Sequence, residues 1–459
     1  MYRATVGPLP FMRRLRWLIL GASILALTVV ATPFLVPLKR FAPQLGEQIS
    51  MHLGHPVALS DLRLSLWPTP GATVQGVRIG KAGDILVEDV HLTLAPLSLL
   101  DDVPVIEKIH ARKVKATEAG LDIVLGLARR DAAARVPQAT RSSGVRIERV
   151  VLEEVELVHR TLQLRPFDVE LRLGPGNALR QATFRVRDNS FRLVMTPRGA
   201  GEIALDVQAK RWTVPVKALG LTFDSFAAQG VLHGRRLSLK PIRAALYGGR
   251  VAGEASLDWN ARWDLRTALD IRGVDVAQLQ HAFRRPVKLS GRLSARAMLH
   301  SRAKTAAALA DAIALDAPFR IDHGAFGGMD LSKVAITSGE EITGGGETRF
   351  EEFTGKLSVR GRMRRVDEFC ARSSTLVAGG NVQLDARERL SGRLDVSVAN
   401  TAGLIRVPVR LSGTSSNPEA TPSRVMSVGA IIGTLLLPGV GTALGASAAN
   451  LLEGQVGCS

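Results

Sequence analysis

Few residues in this chain are spaced for chemistry. His52 and His55 stand three apart with no cysteine or acid beside them, a poor constellation for zinc. Gly355-Lys356 begins like a phosphate loop, but Leu357 follows where Ser or Thr is needed, and the upstream glycine is missing. The run GVGTALG, Gly439 to Gly445, imitates a nucleotide-binding glycine loop, yet it sits in an apolar tail and follows no strand pattern. Asp101-Asp102, before Val103-Pro104, is most simply a polar turn. No GxSxG, HExxH or CxxC occurs. These residues supply no nucleophile with its base, no metal set and no cofactor loop. The expectation is a protein that is not an enzyme and carries no cofactor or metal.

The two cysteines, Cys370 and Cys458, form no disulfide framework and no metal spacing. In an oxidising compartment a bridge between them would close a loop of about 90 residues, contributing about 4 kcal/mol in the chain-entropy model. Two unpaired buried thiols are the other reading.

The net charge of +18 points to an anionic partner or to a solvated basic surface. Arginines cluster at Arg235-Arg236, Arg284-Arg285, and at Arg360, Arg362, Arg364 and Arg365. Nucleic-acid modules pair such clusters with stacking aromatics or a groove-reading helix. Here the aromatics are few and fall mostly on apolar strand faces, so nucleic acid is excluded. Lipid phosphate or plain solvation explains the arginines better.

The elements that hold these residues begin with an apolar run. Residues 1–16 form a basic N-terminus, with Arg3, Arg13, Arg14 and Arg16. Trp17–Leu38 is uncharged and as a helix would cover ~30 Å, a bilayer core. Trp17, Leu18, Leu20, Leu25, Leu27 and Phe34 are its anchoring side chains. The arginine bias predicts a cytoplasmic N-terminus with the rest exported. The run is too long for a usual leader, and no clean small-x-small site follows, so we expect an uncleaved anchor. Phe41, Leu45, Ile49 and Leu53 then repeat every four residues, one stripe of a short amphipathic helix.

Beyond it the period changes to two. Phe167, Val169, Leu171 and Leu173 alternate with Asp168, Glu170 and Arg172. Leu205 and Val207 share a face, as do Leu246, Val251, Leu257 and Trp259. Trp263, Leu265, Leu269 and Ile271 follow, then Leu357 and Val359, then Leu394 and Val396. Alternation with one charged face predicts a long antiparallel meander. Helical patterns are sparse: Asp275–Phe283, with Asp275 as N-cap, and Thr305–Leu315. Neither is long enough to cover an extended sheet. The apolar strand faces must hide against a second sheet or against a lipid tail. Gly253, Gly291, Gly361 and Gly392 within the strands favour bends.

The layout is thus an N-terminal unit over 39–127, a loop over 128–144, a main β-groove over 145–411, a polar linker over 412–424 and an apolar tail over 425–459. The tail carries two small-xxx-small pairs, Gly429/Gly433 and Gly441/Gly445, about Pro438. A helical hairpin packed through its glycines, a buried cap on the sheet and a membrane contact all fit it.

Several segments together resemble the AsmA family of bacterial envelope proteins. LGHPVALSDLRLSLWPTPGATVQGVRIG, with Gly54, Pro56, Pro68, Pro70, Ile79 and Gly80, is similar to the family's opening. LYGGRVAGEASLD looks like its recurring Gly-Gly hairpin, and VRLSGTSSNPEATPS with LLLPGVGTALGASAANLLEG is similar to its C-terminal end. The resemblance implies a single-pass inner-membrane protein with a periplasmic body. It also implies a relation to bridge-like lipid-transfer proteins, whose curled sheet forms an apolar groove.

On that resemblance the apolar strand residues named above, from Leu171 to Val396, are expected to line a groove for phospholipid acyl chains. Anionic headgroups would lie near the arginines, and the role would be in outer-membrane biogenesis and envelope lipid homeostasis. The alternative is a scaffold or negative regulator of outer-membrane protein assembly that acts through contacts with the assembly machinery.

Overall fold

The alternation of apolar and charged residues becomes strand almost throughout. The computed structural model describes most of residues 54–422, apart from 124–144, 332–341 and shorter stretches. The expected anchor, most of the amphipathic helix after it, and the apolar tail lie outside the described residues. Among the described residues no helix is long and apolar enough to cross a membrane.

The chain divides into two compact units, Met1–Asp188 and Asn189–Ser459. The first holds β1 (Val57–Ala58), β2 (Asp61–Ser65), β3 (Gly71–Ile79), β4 (Ile85–Leu94), β5 (Val105–Ala116), β6 (Arg146–Leu157), β7 (Phe167–Leu173) and β8 (Leu179–Val186). β1 and β2 both pair with β3, and β3–β4–β5 run antiparallel. β5 and β6 are parallel, Val105 facing Arg146 and Ala116 facing Leu157. The antiparallel expectation fails at this pair. Parallel neighbours cannot be joined by a tight hairpin and need a long crossover. The stretch over 128–144 belongs to that crossover, so the boundary between units falls later, after β8. Ile85, Val87, Val114, Val155 and Val169 form the buried core of this unit.

The second unit begins with β9 (Phe191–Arg198), β10 (Glu202–Thr213), β11 (Thr222–His233), β12 (Arg236–Leu246), β13 (Gly249–Asp258), β14 (Trp263–Asp275), β15 (Arg292–Ala303) and β16 (Ile313–Gly327). It continues with β17 (Ile342–Thr343), β18 (Glu347–Arg360), β19 (Met363–Arg372), β20 (Leu376–Leu384), β21 (Leu390–Asn400), β22 (Gly403–Gly413) and β23 (Pro418–Pro422). Neighbours from β9 to β16 pair antiparallel, β16 pairs with β18, and the meander runs on to β23. Short β17, from the β16–β18 connection, pairs with β23. The stretch expected as a linker over 412–424 therefore holds a paired strand.

Helix α1 (Val276–Ala282) forms where expected, with the Asp275 carboxylate accepting the Gln278 N–H at 2.9 Å. The second expected helix does not form. Ala307–Leu309 makes one 3-10 turn, and Ile313 and Leu315 are drawn into β16 opposite Ser301 and Leu299. Pairing along the sheet overrides the helix preference of its alanines.

Register shifts fall at Leu239/Ile242, Ile271/Val274 and Val366/Phe369. Each bulge bends its strand and increases local twist. Gly253 lies where two strands come very close: a Cβ there would stand 2.0 Å from the Ala268 carbonyl oxygen. Only glycine permits that approach.

Candidate functional site

Within the second unit, register assigns the inward-facing side chains to rows that cross strand after strand. One row runs Met195–Leu205–Gly230–Leu239–Ala255–Thr267–Leu299–Leu315–Val359. A second runs Ile203–Leu232–Leu237–Leu257–Leu265–Ser301–Ile313. At ~4.8 Å per strand, the nine positions of the first row extend ~38 Å. Their large apolar side chains, including Leu205, Leu257, Leu265, Leu299 and Leu315, are half-buried.

None of these leucines belongs to a packed cluster. The core of this unit lies elsewhere: Ile321, Phe350, Phe353, Phe369, Ala378, Leu394, Val396 and Val409 pack together with Val276 of α1. Phe353 meets Phe319 edge-on at 5.1 Å and Phe369 at 5.8 Å between ring centroids. This cluster fills part of the face from β16 onward, while the large apolar side chains of the two rows, up to Leu315 on β16 and Val359 on β18, stay half-buried and outside it.

The expected lining residues divide accordingly. Leu205, Val207, Val251, Leu257, Leu265, Leu269 and Ile271 are half-buried on this face, and so are Leu357 and Val359 on β18. Trp259 and Trp263 stack at 5.8 Å beside the β13–β14 turn, at the rim. Leu246 lies on the same side but is only 4% exposed. Leu394 and Val396 do not line a groove: at 4% and 0% exposed they are core residues. Strict alternation looks alike on packed and unpacked strands, so periodicity could not separate them. Leu171 packs on the core of the first unit, and Leu173 ends β7 of that same unit. Cys370 is buried and disulfide-bonded, and its expected partner Cys458 lies outside the described residues.

Several trough residues escaped the sequence. Leu193 and Met195 alternate in FRLVMTPR but belong to a stretch without a recognisable motif. Leu239 and Ile242 break period two because a bulge at Lys240-Pro241 separates them.

The opposite face is charged and internally paired. Asp264 binds Arg266 at 3.1 Å, Arg302 at 2.6 Å and His300 at 3.2 Å. Hydrogen bonds from Arg266 first, then Arg302, hold its carboxyl down at about 2. A hollow of about 890 Å³ on this face is lined by Lys240, Glu254, Arg266, Met298, His300 and Arg360, among others. Its cations are answered by acids: Lys240 meets Glu254 at 2.5 Å, and Arg360 meets Asp316 at 2.8 Å. Among the described residues no cluster of His, Cys, Asp and Glu is arranged to hold a metal ion.

Residues 201–367 match the family model of the AsmA family. Over this segment the chain is similar to the AsmA family. The matched segment reaches from β10 into β19 and so contains most of the half-buried apolar rows. The segments that resemble the family's opening and its C-terminal end lie outside the match. No curated protein and no solved structure matches this chain. The AsmA match supports an envelope-related function in broad terms.

Proposed function

We propose that this protein is a non-enzymatic lipid carrier of the bacterial envelope, holding phospholipid acyl chains in the trough of β9–β18. In this reading Trp17–Leu38 anchors it in the inner membrane and the β-rich body lies in the periplasm. The observation that carries the proposal is the row through Leu205, Leu299 and Leu315: long, apolar, half-exposed and unfilled by the protein's own core.

Energetics support it. Each acyl methylene withdrawn from water is worth about 0.8 kcal/mol, so a trough as apolar as a bilayer nearly offsets the cost of extracting a tail. A hydrocarbon core of ~30 Å contains two acyl lengths, and the ~38 Å row exceeds either one. Such binding needs no polar recognition along the tail.

Photocrosslinking tests it. p-Azidophenylalanine at Leu265, which faces the trough, is expected to label phospholipid in vesicles. The same group at Arg266, on the charged face, is expected not to. Equal labelling at the two positions, or none at Leu265, rejects the proposal.

A further inference from the structure

The arginine cluster at the β18–β19 turn is not uniform. Arg360 pairs with Asp316 at 2.8 Å, Arg362 reaches Asp311 at 3.9 Å and Arg365 binds Asp367 at 2.9 Å. Arg364 differs in position. It stands directly opposite Val359 on one side and Leu384 on the other, so its side chain leaves the sheet on the trough face. It is half-buried, whereas Arg360, Arg362 and Arg365 are exposed. The apolar row through Leu299, Leu315 and Val359 therefore meets a cation, with Leu384 and Leu390 following it. Further along β18 and β19, away from their turn, the packed cluster of Phe353, Phe369 and Val366 fills the same face.

A guanidinium turned onto an apolar face is costly unless an anion meets it. It also matches phosphate oxygens in geometry, with two parallel N–H donors. The position suits a headgroup, because Arg364 is one residue from the exposed turn at Arg362-Met363, where the rest of a polar group stays in water.

We infer that Arg364 binds the phosphate of a phospholipid whose tails lie back along the row toward β9. This rests on the lipid-carrier reading. It adds a polarity to the cargo, headgroup at β19 and tails toward β9.

The test compares two lipids of equal tail length, phosphatidylglycerol and diacylglycerol, taken up from vesicles by the full chain. Inorganic phosphate is added in a separate arm. Arg364→Gln is expected to lower phosphatidylglycerol uptake about tenfold, the scale of one charge-assisted hydrogen-bonded contact, and to leave diacylglycerol uptake unchanged. Arg364→Lys should restore part of the loss, and Arg362→Gln should change neither lipid. Equal loss of both lipids in Arg364→Gln, or no loss of either, overturns the inference. Competition by millimolar phosphate against phosphatidylglycerol without any tail dependence would make it a free-phosphate site and overturn it too. If the unmodified chain takes up neither lipid, the carrier reading itself falls, a result distinct from all of these.

Discussion

Leu257 and Leu265 stand directly opposite each other across β13 and β14, on the same face of the sheet, and neither joins a packed cluster. Cross-strand leucines at this spacing normally contribute to a filled core. Here they pave an open surface. Replacing either with Asp places a carboxylate in the trough where water already reaches. We expect Leu257→Asp and Leu265→Asp each to cost about 1–2 kcal/mol of stability, since both leucines are half-buried and lose a cross-strand partner. Bound phospholipid should fall at least about tenfold, since the charge meets acyl chain. Denaturant melts and lipid extraction check the two halves separately.

Leu394 supplies the contrast. It is 4% exposed within the phenylalanine-rich core. Leu394→Ala should cost about 2–5 kcal/mol through lost burial and a residual cavity. Per folded molecule, lipid uptake should hardly change. Chemical denaturation paired with uptake normalised to folded protein measures this.

Asp264 gives a pH dependence. Its folded carboxyl titrates at about 2, below the ordinary carboxylate value, because Arg266 and Arg302 hold the charged form. A depressed folded pKa stabilises fully above the unfolded value of about 4 and is lost as pH falls toward 2. Asp264→Asn should therefore lower stability at pH 7 by on the order of 1–2 kcal/mol, discounted because both arginines are largely exposed. The gap between variant and parent should close between about pH 4 and pH 2. Thermal melts across that range check it.

Tyr247 ties the Gly-Gly hairpin to its neighbour. Its hydroxyl accepts the Thr222 N–H at 3.0 Å and donates to the Gly220 carbonyl at 3.4 Å. Tyr247→Phe should lose about 1 kcal/mol and raise amide exchange at Thr222. Hydrogen exchange resolved to that residue reads the effect directly.

The strands were legible in the sequence because alternation is a local signal. Leu205 with Val207, and Leu265 with Leu269, announce their face within a few residues. Helix α1 was equally local, through Asp275 and its cap. What could not be read was filling. Val396 and Leu265 have the same pattern around them, and only the curl of β16–β23, closed by β17 on β23, buries one and leaves the other open. The parallel β5–β6 pair was hidden for a related reason, since strand direction is a property of the crossover and not of either strand. In the sequence Arg364 is only one member of a cluster. Its distinction from Arg362 and Arg365 depends on register with Val359, which no window of sequence contains.

The most direct measurement is native mass spectrometry of the full chain released from membranes under mild conditions, beside its Leu257→Asp/Leu265→Asp double variant. Phospholipid is expected bound to the parent and stripped from the variant when both are compared per folded molecule. A parent that arrives free of lipid, or a variant that carries as much as the parent, contradicts it.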